Sequence, residues 1–126
     1  MAGFNGNAVA RFVRQGIARV NVATWSPVHS ALTTVGGTEL PNRQWVKIQG
    51  RGSDTIRLAI KYVNVSISET GVRSFTTPTD TAHDAIVYPS NAIIEEPISD
   101  DVRIYARAVL NGGSRGGLKV VVAEYA

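Results

Sequence analysis

The sequence predicts an all-β fold, an antiparallel sandwich or barrel, led by a basic N-terminal arm or short helix. Three observations carry this. From Asn21 onward, short β-type runs are separated by Gly, Pro, Asn, Ser and Asp at intervals of roughly ten residues. Two of the runs, TIRLAIKY and VRIYARAVL, alternate apolar and polar residues as strands with one buried face do. No helical stretch separates the runs, which argues against a parallel sheet with crossover helices.

At 126 residues the chain has room for one domain with a real core, and 44% hydrophobic against 18% charged residues is the balance of a globular protein. No apolar run is long enough to span a membrane. The absence of cysteine removes disulfides, thiolate metal sites and a cysteine nucleophile. The net charge of +3 is unevenly spread: no acid precedes Glu39, whereas Arg11, Arg14 and Arg19 all do. Ten of the 13 basic residues are Arg, a choice that favours fixed contacts to carboxylates.

The elements follow in order. In AVARFVRQGIARV, Val9, Phe12, Val13, Ile17 and Val20 fall at helical spacing with Arg11, Arg14, Gln15 and Arg19 opposite, so a short amphipathic helix is expected despite Gly16. An acid-free start of this kind also has the pattern of a transit peptide or a membrane-surface helix. Residues 1–23 are expected as an arm and 24–126 as one sandwich. Candidate strands are NVATWSPV, SALTTV, RQWVKIQ, TIRLAIKY, DAIVYP, NAIIEEP, VRIYARAVL and LKVVVAEY. A change of apolar phase after Tyr62, to Val63, Val65 and Ile67, predicts a bulge or a passage between sheets. NGGSRGG reads as the turn of a hairpin joining the last two strands.

Chemistry-bearing residues are sparse. His29 and His83 are far apart, and no cluster of metal-ligating types occurs. His83-Asp84 sits in a polar loop without an evident nucleophile. Glu95-Glu96 and Asp100-Asp101 flank Pro97 and read as an acidic turn that meets an Arg of another subunit; adjacent strand residues point to opposite faces, unlike a general acid–base pair. NGGSRGG lacks the Lys-Ser/Thr ending of a phosphate loop and precedes a strand. QGRGSD between RQWVKIQ and TIRLAIKY is a turn by the same reasoning. Arg103, Tyr105 and Arg107 share a strand face, the best nucleic-acid constellation available, but Asp100 and Asp101 flank it. No catalytic residue, cofactor or metal is expected.

The string PNRQWVKIQGRGSDTIRLAI, followed by a Gly- and Pro-rich middle, the late strand RIYARAV and the closing LKVVVAEYA, resembles a module of small virion proteins of tailed bacteriophages. The resemblance covers roughly residues 38–126. It implies a jelly-roll-like β-sandwich that binds other virion proteins, such as a capsid decoration or cement protein on the head surface, made in the host cytoplasm. A tail or head–tail connector protein is the alternative, and a carbohydrate- or receptor-binding module using Trp25, Trp45 or Tyr105 a second. The expected partners are the major capsid protein or other virion proteins and further copies of the chain, as a dimer or trimer, with neither membrane nor nucleic acid. Phe4, Phe12, Val13 and Ile17 are the expected apolar anchors of the arm, with Arg11, Arg14 and Arg19 meeting capsid carboxylates.

Overall fold

Period-two burial governs the computed structural model, which describes residues 10–20, 24–29, 39–52, 56–79, 85–110 and 118–126. Among the described residues ten strands run in chain order: β1 (Phe12–Val20), β2 (Ser26–Pro27), β3 (Trp45–Arg51), β4 (Ile56–Asn64), β5 (Ser66–Ile67), β6 (Arg73–Ser74), β7 (Ile86–Pro89), β8 (Ile93–Glu96), β9 (Val102–Leu110) and β10 (Leu118–Tyr125). They form two four-stranded antiparallel sheets, β1-β10-β3-β8 (sheet A) and β2-β9-β4-β7 (sheet B), and a separate β5-β6 pair. The sheets pack face to face as a sandwich. Val20, Val46, Ile48, Ile94, Leu118, Val120 and Val122 of sheet A meet Leu58, Ile60, Ile104, Ala106 and Ala108 of sheet B, all essentially without solvent contact.

Three sequence expectations are corrected. The predicted helix at the N-terminus is strand β1, paired with β10 in unbroken register from Arg14 to Val20 after a bulge between Phe12 and Arg14. Its β-branched Val13, Ile17 and Val20 and its Gly16 are poor helix formers, and a ladder with β10 that buries Ala18 and Val20 outweighs the helical periodicity. The last two strands are not a hairpin: β9 lies in sheet B and β10 in sheet A. β3 and β4, on either side of QGRGSD, also lie in different sheets, so that link too crosses the sandwich. No bulge marks Tyr62-Val63, where the register against β9 is unbroken to Asn64↔Val102.

The phase change has another cause. Ala59 and Val63 face outward from sheet B into a second small cluster with Trp25, Tyr105 and Val109. Trp25 is 6% and Tyr105 1% exposed, with Lys61 Nζ 5.4 Å above the Trp25 ring. Sheet B is therefore buried on both faces at its centre. The outer face of sheet A is not.

Two local features hold the ends. Leu40–Arg43 is a tight turn closed by Arg43 N–H donating to the Leu40 carbonyl (3.0 Å), with Pro41 at its second position and Asn42 at φ 60° at its third. That is type II chemistry, in which Asn substitutes for Gly in the left-handed region. At Gly50 the β7–β8 turn passes so close that a Cβ would lie 2.2 Å from the Ser90 carbonyl oxygen. Only glycine fits there.

Candidate interaction surface

Buried charges lock the end of the sandwich at which the Leu40–Arg43 turn lies. Glu124, wholly buried on the inner face of β10, accepts from Arg14 Nε (2.7 Å), Arg43 Nη1 (2.8 Å) and the Leu40 amide (3.2 Å). Arg43, itself 2% exposed, also donates to the carbonyls of Ile98, Ser99 and Val102. One guanidinium thus ties the 98–102 turn to β10. Arg14, expected as a surface hook, instead sits directly across from Glu124 on the inner face of sheet A.

A second network lies beside it. Glu39 takes a bidentate pair from Arg103 (2.8 and 3.1 Å) and lies 3.0 Å from His29 Nδ1, and the Arg103 guanidinium covers the Phe75 ring at 4.3 Å. Burial pulls the Glu39 carboxyl upward, but hydrogen bonds from His29 and Arg103 and the charge of His29 hold it at about 2. Because the folded carboxyl titrates below its ordinary 4.5, its contribution is complete above about pH 4.5 and is lost as pH falls toward 2. After discounting for solvent screening this is on the order of 2 kcal/mol. Glu39→Gln is expected to flatten the acid limb of a stability–pH curve, read by urea unfolding between pH 5 and about 2.5.

Glu39, Arg103 and Phe75 also line a cleft of about 500 Å³ with Pro41, Arg73, Ser74 and Asp100. Glu39 and Arg103 pair with each other, Arg73 Nη1 holds Asp101 at 3.0 Å, and the Asp100 carboxylate accepts from the Asn42 amide. The acidic turn thus meets an Arg of its own chain, and Lys47 lies 3.9 Å from Glu95. Among the described residues no group of three metal-ligating side chains converges. His83 and the NGGSRGG run lie outside the described residues. Tyr105 and Trp25 are too buried to stack on a base or a sugar, and Arg103 is committed to Glu39.

The outer face of sheet A is open. Its cross-strand rows are fixed by register: Ile17–Val121–Gln49–Ile93, Gln15–Ala123–Lys47–Glu95 and Arg19–Lys119–Arg51. Ile17 and Ile93 are 62% and 57% exposed, and Val13 and Phe12 stand exposed beside them on β1, Phe12 edge-on to Tyr125 at 5.8 Å. Gln15, Gln49, Arg51 and Tyr125 border a shallow cleft of about 140 Å³. In the third row three exposed cations stand on neighbouring strands, roughly 5 Å apart by strand spacing. Among the described residues no carboxylate pairs with any of them, and like charges placed directly opposite destabilise a sheet.

Of the expected contact residues, the fold gathers Val13, Ile17 and Arg19 on this face, with Arg11 exposed just ahead of β1 and Phe12 at the strand's start. Phe4 lies outside the described residues. Lys119, Arg51, Gln49 and Ile93 join them through pairings between β1, β10, β3 and β8, a placement that no local pattern announces. No protein-family model, curated protein or solved structure matches the chain, so the surface stands on its own geometry.

Proposed function

We propose that the chain is a non-enzymatic structural protein that attaches to a larger protein assembly through the outer face of sheet A. The observation that carries this is the contrast between the two outer faces: the centre of sheet B's is occupied by Trp25, Tyr105 and their neighbours, whereas sheet A's presents exposed Ile17 and Ile93 beside a row of cations that no carboxylate among the described residues pairs with. A contact of this composition suits an acidic protein surface, where the cations steer encounter and the apolar residues supply burial. With the resemblance of residues 38–126 to phage virion modules, the assembly is a bacteriophage head and the protein its decoration or cement component, bound to the major capsid protein. A tail or connector is the alternative site.

Purified expanded shells are expected to bind the protein and gain heat resistance. The triple variant Arg19→Glu, Arg51→Glu, Lys119→Glu should bind at least about tenfold more weakly, and wild-type binding should weaken with added salt. Binding to tails and not to shells would move the protein to the alternative site; binding to neither would remove the reading.

A further inference from the structure

The edge strands β7 and β8 follow each other in sequence but lie in different sheets, so together they flank one side of the sandwich. Register and alternation turn Ile86 and Tyr88 of β7 and Ile94 and Glu96 of β8 inward. Near the turn that joins the two strands this side is filled, with Ile94 buried and Tyr88 packed on the main core. Between their far ends a cleft of about 440 Å³ stays open, walled by Tyr62, Ile86, Pro97, Ile98 and Val102, with Glu96 at its edge.

Glu96 is the one ionised side chain in that lining. It is half-buried, and among the described residues no basic side chain pairs with it. Lys47 reaches Glu95 on the opposite face of β8, and Arg43, which also touches the 98–102 turn, is taken by Glu124 and by backbone carbonyls. The Tyr62 hydroxyl is pushed up to about 12, by burial first and then by its neighbours Tyr88 and Glu96, so it stays neutral and adds no second charge. Every other acid of the neighbouring strand and turn already has a partner: Glu95 has Lys47, Asp100 the Asn42 amide and Asp101 Arg73.

We propose that this cleft binds a basic side chain, lysine or arginine, of a partner protein, its apolar stem lying on Ile86, Pro97 and Ile98 and its cationic head meeting Glu96. The lining selects that occupant. An anion would face the Glu96 carboxylate, and a neutral apolar group would bury that carboxylate unpaired, which is costly. A free diamine would bring two cations to a cleft with one carboxylate. Lysine and arginine join an apolar stem to a single charged head, the combination that apolar walls with one acid at their edge accommodate. A partly desolvated carboxylate also holds a cation more strongly than one in open water does. The site lies between the sheets rather than on the outer face of sheet A, and it does not depend on the function proposed above.

The test is an NMR titration of the full chain with small probes. Nα-acetyl-lysine methylamide and Nα-acetyl-arginine methylamide should shift the signals of Tyr62, Ile86 and Ile98 and saturate at millimolar concentration. Nα-acetyl-norleucine methylamide, a stem without charge, and methylammonium, a charge without stem, should each bind about fivefold more weakly or less, and so should the lysine probe to Glu96→Gln, as the loss of one half-exposed ion pair gives. Glu96→Gln removes no side-chain bond among the described residues, so it should melt within a few degrees of the wild type. Ile86→Ser, at a half-exposed wall position, should bring the lysine probe down to the level of methylammonium. Equal binding of the norleucine probe, or undiminished binding to Glu96→Gln, would overturn the role of the carboxylate. Equal binding of methylammonium would overturn the apolar wall. Tighter binding of putrescine than of the lysine probe would overturn a protein side chain as the occupant, and no saturable shift with any probe would overturn the site.

Discussion

Glu124→Gln is expected to destabilise the fold by about 3–5 kcal/mol, the range for stranding a buried charge, and to lower the melting temperature by more than about 10 °C. Arg14 keeps some solvent access and can turn outward, but the Arg43 side chain is 1% exposed and has no such route. The amide that replaces the carboxylate preserves shape and removes the only carboxylate Arg43 contacts among the described residues. Thermal unfolding followed by circular dichroism measures the loss. Since Arg43 also holds the Ile98, Ser99 and Val102 carbonyls, amide exchange in 98–102 should rise alongside it. A loss under about 1 kcal/mol would mean that the carbonyls alone satisfy Arg43.

Gly50→Ala is expected to cost about 2–4 kcal/mol, as overpacking against backbone does. The added carbon meets the Ser90 carbonyl oxygen at 2.2 Å and its carbon at 3.0 Å, and neither belongs to a side chain that can rotate away. Relief requires moving the β7–β8 turn, which strains the bond from the Gly50 amide to the Ala92 carbonyl (2.9 Å) and then the Ile93–Glu96 ladder. A lowered urea midpoint together with faster exchange of the β8 amides would show it. Unchanged β8 protection would contradict the close approach.

These two positions mark what is legible in the sequence. Alternation in TIRLAIKY and VRIYARAVL places β4 and β9 correctly, because one face of each meets the main core. Proline stops bound β7 and β8, because a residue without an N–H cannot continue a ladder. The N-terminal segment misleads because FVRQGIARV carries polar residues on both faces of its strand: Arg14 faces inward to meet Glu124, a partner 110 residues away. Val63 misleads for a related reason, since its outward face is also buried. The cationic row is invisible locally, because Arg19, Arg51 and Lys119 become neighbours only through sheet order. Glu124 in LKVVVAEY reads as an exposed acid until Arg14 of β1 and Arg43 of the Leu40–Arg43 turn converge on it.

The place of β10 in sheet A gives folding a direction in time. It lies between β1 and β3, so the earliest and third strands have no partner in common until the last has been made. During synthesis, β4 can find β9 while Val46 and Ile48 of β3 and Ala18 and Val20 of β1 still wait, uncovered, for Leu118 to Tyr125. Such a nascent chain is prone to aggregate until its final strand emerges, and then closes in one step. A ribosome stalled before residue 118 should hold a protease-sensitive chain; one that has extruded residue 126 should hold a resistant one.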